Sequence, residues 1–103
     1  MLMTKRKPAT IGEILVEEFM RPNALTQGDL AEAMGVPRKH VNELCNDRRG
    51  VTADTALMLA RVFGNSAEFW LNVQRRHDVW DALHSPRRRA RIERARPLRR
   101  TAA

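Results

Sequence analysis

Residues 27–44 limit the possible folds of this chain more than any other stretch. Apolar residues recur there at the spacing of one helix face, and a second short helix is indicated after a glycine. The inward-facing positions of the two helices are Leu30, Ala31, Met34, Val41 and Leu44. Gly35 lies between them, where a left-handed residue commonly ends a helix. The pattern therefore predicts two short helices joined by a tight turn.

Ala31 makes this pattern specific. It lies four residues before Gly35, and Val41 and Leu44 follow that glycine by six and nine residues. Two helices that cross steeply bring their backbones close together, so only a small side chain fits at the crossing. A small residue, a glycine turn and two inward aliphatic residues in this register indicate a helix-turn-helix.

The start of the second helix then presents polar side chains to solvent. These are Arg38, Lys39, His40 and Asn42. A recognition helix contacts base edges in the major groove of DNA with this part of its surface. Arginine and lysine can donate to guanine, and asparagine can bond adenine through two hydrogen bonds. We predict that these four residues read bases, although a short basic run can also be only a solvated helix start.

Four further residues are predicted to contact phosphates. Thr26 and Gln27 begin the first helix of the pair, where free backbone N–H groups suit an anion. Arg48 and Arg49 follow the recognition helix directly, in a loop rich in polar residues. Gln27 and the two arginines could equally be ordinary surface residues, and the sequence leaves that choice open.

The net positive charge of the chain arises entirely from its C-terminal end. Residues 1–83 carry 11 Lys/Arg and 11 Asp/Glu, whereas residues 84–103 carry eight Arg and one Glu. The high isoelectric point therefore does not by itself show that the domain binds nucleic acid. We predict that the tail is disordered and adds nonspecific DNA affinity by counterion release. Ordering against an acidic partner is the alternative.

Length and composition predict one all-α domain. The chain has 103 residues, no tyrosine and few glycines and prolines, which fall at corners. Caps and apolar stripes predict helix one at residues 11–20, helix four between Thr52 and Gly64, and helix five at residues 67–83. The resulting division is a flexible arm at 1–9, a five-helix domain at 10–83 and an Arg-rich tail at 84–103.

The distal half of helix five carries three apolar residues that could serve either of two roles, namely Val79, Trp80 and Leu83. They either pack against helices one and four or project beyond the core as a dimer or partner interface. For Trp80 we favour the interface. Trp70, ten residues earlier on the same helix, is assigned to the core.

Several classes of protein are disfavoured by what the sequence lacks. The single cysteine, Cys45, cannot form an internal disulfide, which fits a reducing cytoplasm. No signal peptide or membrane-spanning segment is visible. No metal-ligand spacing, glycine-rich phosphate loop or nucleophile motif occurs, so we predict no catalytic residues, no metal, no cofactor and no membrane partner. An enzyme such as a nuclease is the least supported class.

Several longer motifs can be compared with known families. They are Gly12-Glu13-Ile14-Leu15, Leu25-Thr26-Gln27, Thr52-Ala53-Asp54-Thr55-Ala56 and Glu68-Phe69-Trp70-Leu71-Asn72. With these motifs the chain resembles HigA/VapI-type antitoxins, a branch of the lambda-repressor-like (XRE) helix-turn-helix proteins, over roughly residues 10–83. In this family a serine commonly caps the recognition helix, whereas this chain has Pro37.

The resemblance implies a function that composition could not supply. Such a protein would bind double-stranded operator DNA as a homodimer and repress its own operon. It would also neutralise a co-encoded HigB-like toxin that cleaves mRNA. The rival hypothesis from the residues themselves is a stand-alone, phage-type repressor with no toxin partner.

Overall fold

The computed structural model describes residues 6–99, and all regular secondary structure in that range is helical. The elements are α1 (Ile11–Ile14), a π-helical continuation (Leu15–Met20), α2 (Gln27–Met34), α3 (Arg38–Cys45), α4 (Ala53–Phe63), α5 (Ala67–His84) and α6 (Pro86–Ile92). The predicted all-α fold is confirmed. None of these helices is both long and apolar enough to cross a membrane.

Two helices begin with the same reciprocal cap. In α1, the Glu13 N–H donates to Thr10 Oγ1 at 3.1 Å and the Thr10 N–H donates to Glu13 Oε1 at 3.0 Å. In α2, Thr26 and Asp29 exchange the equivalent bonds, both at 3.0 Å. The backbone hydrogen bond to each carboxylate lowers the pKa of Glu13 and of Asp29. Each box satisfies N–H groups that a helix start leaves unpaired.

Glycines end two of the helices in the left-handed conformation. Gly35 follows α2 with φ 74°, and Gly64 follows α4 with φ 72°. The Val36 N–H then donates to the Ala31 carbonyl at 3.0 Å, a bond that reverses the chain toward α3. The turn predicted between the two helices is therefore present.

The core fills the angle between the helices. Its buried members are Ile11, Leu15, Met20, Leu30, Ala31, Met34, Val41, Leu44, Val51, Ala56, Leu59, Trp70 and Val73. Ala31 is 5% exposed, and Val41 and Leu44 are completely buried. The inward positions predicted for the helix-turn-helix are thus all buried.

A π-helical turn ends the first helix. The Arg21 N–H donates to the Val16 carbonyl at 2.9 Å, and the Leu25 N–H donates to the Met20 carbonyl at 2.9 Å, both five residues back. In this wider turn, residues five apart share a face, so Leu15 and Met20 both enter the core. Helix one was predicted as an α-helix over residues 11–20. The structure is helical over the same residues, but residues 15–20 form a π-helix.

The start of α1 lies directly against the end of α3. The Gly12 N–H donates to Asp47 Oδ1 at 2.8 Å, although the two residues are 35 positions apart. A Cβ atom on Gly12 would lie only 2.4 Å from the Cys45 carbonyl oxygen. Asp47 reaches this position from a left-handed backbone with φ 56°. The contact therefore ties the loop after α3 to the first helix.

The predicted tail is not disordered throughout. Ser85 caps α6, and Pro86 supplies a first helical residue that needs no N–H partner. Arg89 Nε lies 3.1 Å from Glu93 Oε2, and this ion pair links the last turn of α6 to the residue that follows it. The structure thus has a sixth helix where disorder was predicted, and α5 runs one residue further than predicted. Residues 100–103 of the tail lie outside the described range.

The predicted arm, residues 1–9, is described only from residue 6, and residues 6–9 form no helix. Lys7 Nζ lies 5.9 Å from the centre of the Trp80 ring. The part of the arm that is described therefore runs past the distal half of α5.

Candidate nucleic-acid interface

Three of the four predicted base-reading residues share one exposed face. Arg38, Lys39 and Asn42 lie at the N-terminal end of α3 and are exposed. Together with Gln27 they line an open cleft of about 380 Å³. Residues three and four positions apart lie side by side on a helix, so these three side chains can approach one target together.

Asn42 and Gln27 are joined across the helix-turn-helix. The Asn42 amide donates to Gln27 Oε1 at 3.1 Å. The bond fixes the orientation of both amides and leaves the Asn42 oxygen and the Gln27 nitrogen available to a ligand. Gln27 was predicted as a phosphate contact, and it lies beside the residues of α3 that are predicted to read bases.

Pro37 precedes α3 without a side-chain cap. Its backbone has φ −64° and ψ 148°, and the His40 N–H donates to the Pro37 carbonyl at 2.9 Å. The helix start therefore keeps unpaired N–H groups next to two cationic side chains. A positive helix terminus with arginine and lysine attracts phosphate and electronegative base edges.

His40 differs from the other predicted base-reading residues. Its side chain is half-buried, and its Nε2 atom is inaccessible and has no hydrogen-bond partner among residues 6–99. Burial lowers the pKa of the imidazole, and the neighbouring Arg49 acts in the same direction. His40 lies two residues after Arg38, which is a rotation of about 200° around the helix axis. Its side chain therefore points away from the exposed face.

The predicted phosphate contacts have unequal freedom. The Thr26 hydroxyl already accepts the Asp29 N–H, and the Asp29 carboxylate occupies the same helix start. Arg49 is held by Glu43, with its Nη2 and Nε atoms 2.9 and 3.0 Å from Glu43 Oε1. Arg48 is exposed and has no acidic partner within the described chain. Arg48 is therefore the most available cation of this group.

Three residues that the sequence analysis did not single out position this loop. Asp47 anchors it to α1, Glu43 holds Arg49, and Gln74 accepts the Val51 N–H at 2.9 Å. All three contacts join residues that are not neighbours on a single helix, so periodicity carries no signal for them.

The predicted interface residues Val79, Trp80 and Leu83 are partly exposed on α5, and Leu83 retains 38% of its surface. The Trp80 ring stacks on His84 at 3.9 Å and 10°, while its Nε1 atom is inaccessible and lacks a partner within residues 6–99. By contrast, Trp70 is fully buried, as predicted for a core residue.

Metal binding has no evident place in the described part of the chain. Across residues 6–99 no group of three or more His, Cys, Asp or Glu side chains is arranged to hold a metal ion. Burial, with a contribution from Asp47, raises the pKa of the Cys45 thiol. Its Sγ atom lies 3.7 Å from Met20 Sδ, in the packing between α3 and the first helix.

Sequence comparison identifies a protein family and several relatives of this chain. A family model described as "Helix-turn-helix" matches residues 16–70. Antitoxin HigA-1 of Vibrio cholerae is 50% identical over 82 residues, covering 79% of this chain and 76% of that protein. An uncharacterized HTH-type transcriptional regulator of Haemophilus influenzae is 44% identical, covering 82% of this chain and 79% of its own length.

Solved structures of antitoxins have a similar fold. Antitoxin GraA in complex with its operator has a TM-score of 0.82 and 33% identity, covering 97% of this chain and all of GraA. Pseudomonas aeruginosa antitoxin HigA with the higBA promoter has a TM-score of 0.78 and 34% identity, covering 88% of this chain and 98% of that one. This chain belongs to the helix-turn-helix family of DNA-binding regulators, in its HigA-type antitoxin branch.

Proposed function

We propose that this protein is a sequence-specific DNA-binding antitoxin of a type II toxin–antitoxin module. It represses its own operon and neutralises a HigB-like, mRNA-cleaving toxin in the cytoplasm. The observation that carries the proposal is the exposed face of α3, on which Arg38, Lys39 and Asn42 converge with Gln27. Two relatives of the same fold have been solved with operator or promoter DNA, which supports DNA binding by this chain.

Base readout follows from the chemistry of that face. Arg38 and Lys39 donate to guanine O6 and N7, whereas Asn42 offers the amide atoms that bond adenine. The hydrogen bond that the Asn42 amide donates to Gln27 Oε1 holds the Asn42 amide in one orientation, which reduces the entropy lost on binding. His40 supports α3 from its buried flank instead of reading a base. Arg48 contacts an adjoining phosphate.

The protein binds its operator as a homodimer. Two copies place their α3 helices in successive major grooves of an inverted repeat, one helical turn or about 34 Å apart. Val79, Trp80 and Leu83 are the residues we assign to the contact between copies, because they leave apolar surface exposed on α5. A footprint on the operator should therefore cover two half-sites in opposite orientation.

Replacing Arg38 with alanine is expected to weaken operator binding by about 1–3 kcal/mol and to relax specificity at one base pair per half-site. Arg61→Ala removes an exposed arginine from α4 and serves as the matched control, with unchanged affinity expected. The measurement is binding of each variant to operator and scrambled duplexes at one salt concentration. Equal losses on both duplexes would show that Arg38 supplies charge only, and direct readout by Arg38 would be wrong.

The toxin partner separates an antitoxin from a stand-alone repressor. Co-expression with the product of the neighbouring gene should yield a complex that survives purification, and the protein should restore growth that the toxin arrests. If operator binding is intact while neither a complex nor rescue is found, the stand-alone repressor is the correct function. The Arg38→Ala variant is a useful addition, because it should retain rescue after losing repression.

A further inference from the structure

Helix α6 separates its charged residues onto two faces. Pro86, Arg89, Ala90 and Glu93 line a groove against the end of α5. At 100° per residue, Arg87, Arg88 and Arg91 fall on the opposite face of the helix. All three are exposed, and none has an acidic partner among residues 6–99. The arginine face of α6, defined by these three residues, therefore points away from the domain.

The arginine face is cationic without local compensation. Arg89 is the one arginine of α6 that is paired with a carboxylate in the described chain, through Glu93. Residues 84–103 carry eight Arg and one Glu, while residues 1–83 are neutral overall. α6 has no buried residue, so packing contributes little to hold these like charges together. A polyanion bound to this face would relieve the repulsion.

We propose that the arginine face of α6 binds the phosphate backbone of duplex DNA beside the operator, as a second contact separate from α3. This inference rests on the proposed function, since it adds to the same DNA complex. Guanidinium groups suit phosphate because they donate paired hydrogen bonds to its oxygens. The described residues extend 57 Å along their longest axis, more than one helical turn of DNA of about 34 Å, so one subunit is long enough to contact phosphates of two turns.

An acidic protein fits this face less well than DNA. A protein interface is usually centred on buried apolar or aromatic anchors. The arginine face offers three guanidinium groups and, at its margin, only Ile92, which is 48% exposed. DNA phosphates need no such anchor, since the release of counterions drives their binding.

The test replaces the arginine face by glutamine in the full-length chain, as Arg87→Gln, Arg88→Gln and Arg91→Gln. Glutamine is a good helix former, so α6 should persist, which circular dichroism can check. The matched control removes the same charge elsewhere, as Arg21→Gln, Arg61→Gln and Arg75→Gln, all at exposed positions. Affinity is measured for operator and scrambled duplexes between 50 and 200 mM salt.

We expect the α6 variant to bind both duplexes more weakly by the same factor. Three lost phosphate contacts in each subunit of the proposed dimer, six in all, should reduce the slope of log K against log salt by about 5.4. The affinity of the unchanged protein should then fall about 1,800-fold more over this salt range than that of the variant. The control variant should keep the original slope.

An unchanged slope in the α6 variant would overturn the proposal, and so would a control variant that loses as much slope. Loss of a bound protein partner with DNA binding intact would assign α6 to that partner and would also overturn it. These outcomes differ from those expected if the proposed function is wrong. If the protein is not a sequence-specific DNA-binding protein, the unchanged protein would bind operator and scrambled DNA alike. A reduced slope in the α6 variant would still support an α6 contact.

Discussion

Replacing Trp70 with alanine is expected to lower the free energy of unfolding by about 3–5 kcal/mol. Trp70 is completely buried and lies among three phenylalanine rings. Its ring centre is 4.7 Å from that of Phe19, 5.1 Å from that of Phe69 and 6.0 Å from that of Phe63. Because the neighbours come from three different helical segments, they cannot all collapse into the space that the indole leaves.

Urea denaturation followed by circular dichroism measures this loss, which is a large part of the roughly 5–15 kcal/mol that stabilises a typical domain. Trp70 Nε1 also donates to Asn65 Oδ1 at 2.9 Å. Asn65→Ala leaves the buried Trp70 Nε1 without its acceptor but keeps the rings packed, and should cost about 1–3 kcal/mol. If Asn65→Ala proves as damaging as Trp70→Ala, the explanation by packing of the rings is incorrect.

The second large effect is expected at Gly12. Alanine there would place Cβ 2.4 Å from the Cys45 carbonyl oxygen and 2.9 Å from Asp47 Oδ2. The carbonyl belongs to the backbone of α3, so it cannot rotate away as a flexible side chain would. We expect Gly12→Ala to destabilise the fold by about 3 kcal/mol, at the upper end for overpacking, and to weaken the Gly12–Asp47 hydrogen bond.

Gly28 provides a matched control within the same chain. It occupies the equivalent position in the second capping box, two residues after Thr26. A Cβ atom there would meet only Thr26 Oγ1, at 3.7 Å, which is ordinary contact. Gly28→Ala should therefore leave stability unchanged or slightly raised. Similar losses in both variants would indicate a general helix effect and would contradict the close approach of α1 to α3.

The Gly12 contact has a functional consequence. The loop after α3 carries Arg48 and Arg49, and Asp47 is its attachment to α1. Displacing α1 should move this loop relative to the residues of α3 that we propose to read bases. The Gly12→Ala variant should therefore also bind operator DNA more weakly. Operator binding at a temperature where the variant is still folded measures this second effect.

Local sequence determined how α1 and α2 begin and where α2 ends. Thr10 with Glu13 and Thr26 with Asp29 form caps through residues three apart, so a short pattern contains all the interacting groups. Gly35 is predictable for the same reason, since its left-handed conformation depends on the chain within one turn. The spacing of Ala31, Val41 and Leu44 then placed the helix-turn-helix, because burial of one helix face follows from periodicity.

The tertiary structure decided which predicted residues share a surface. The Asn42–Gln27 bond, the Arg49–Glu43 pair and the burial of His40 depend on how α2, α3 and the following loop pack, and helical periodicity alone does not specify that packing. Tertiary packing also explains why residue 12 is a glycine. A side chain there would collide with Cys45 and Asp47, which are more than thirty residues away. Hydrogen bonds within one turn are encoded locally, whereas close approaches between helices exist only once the whole core has formed.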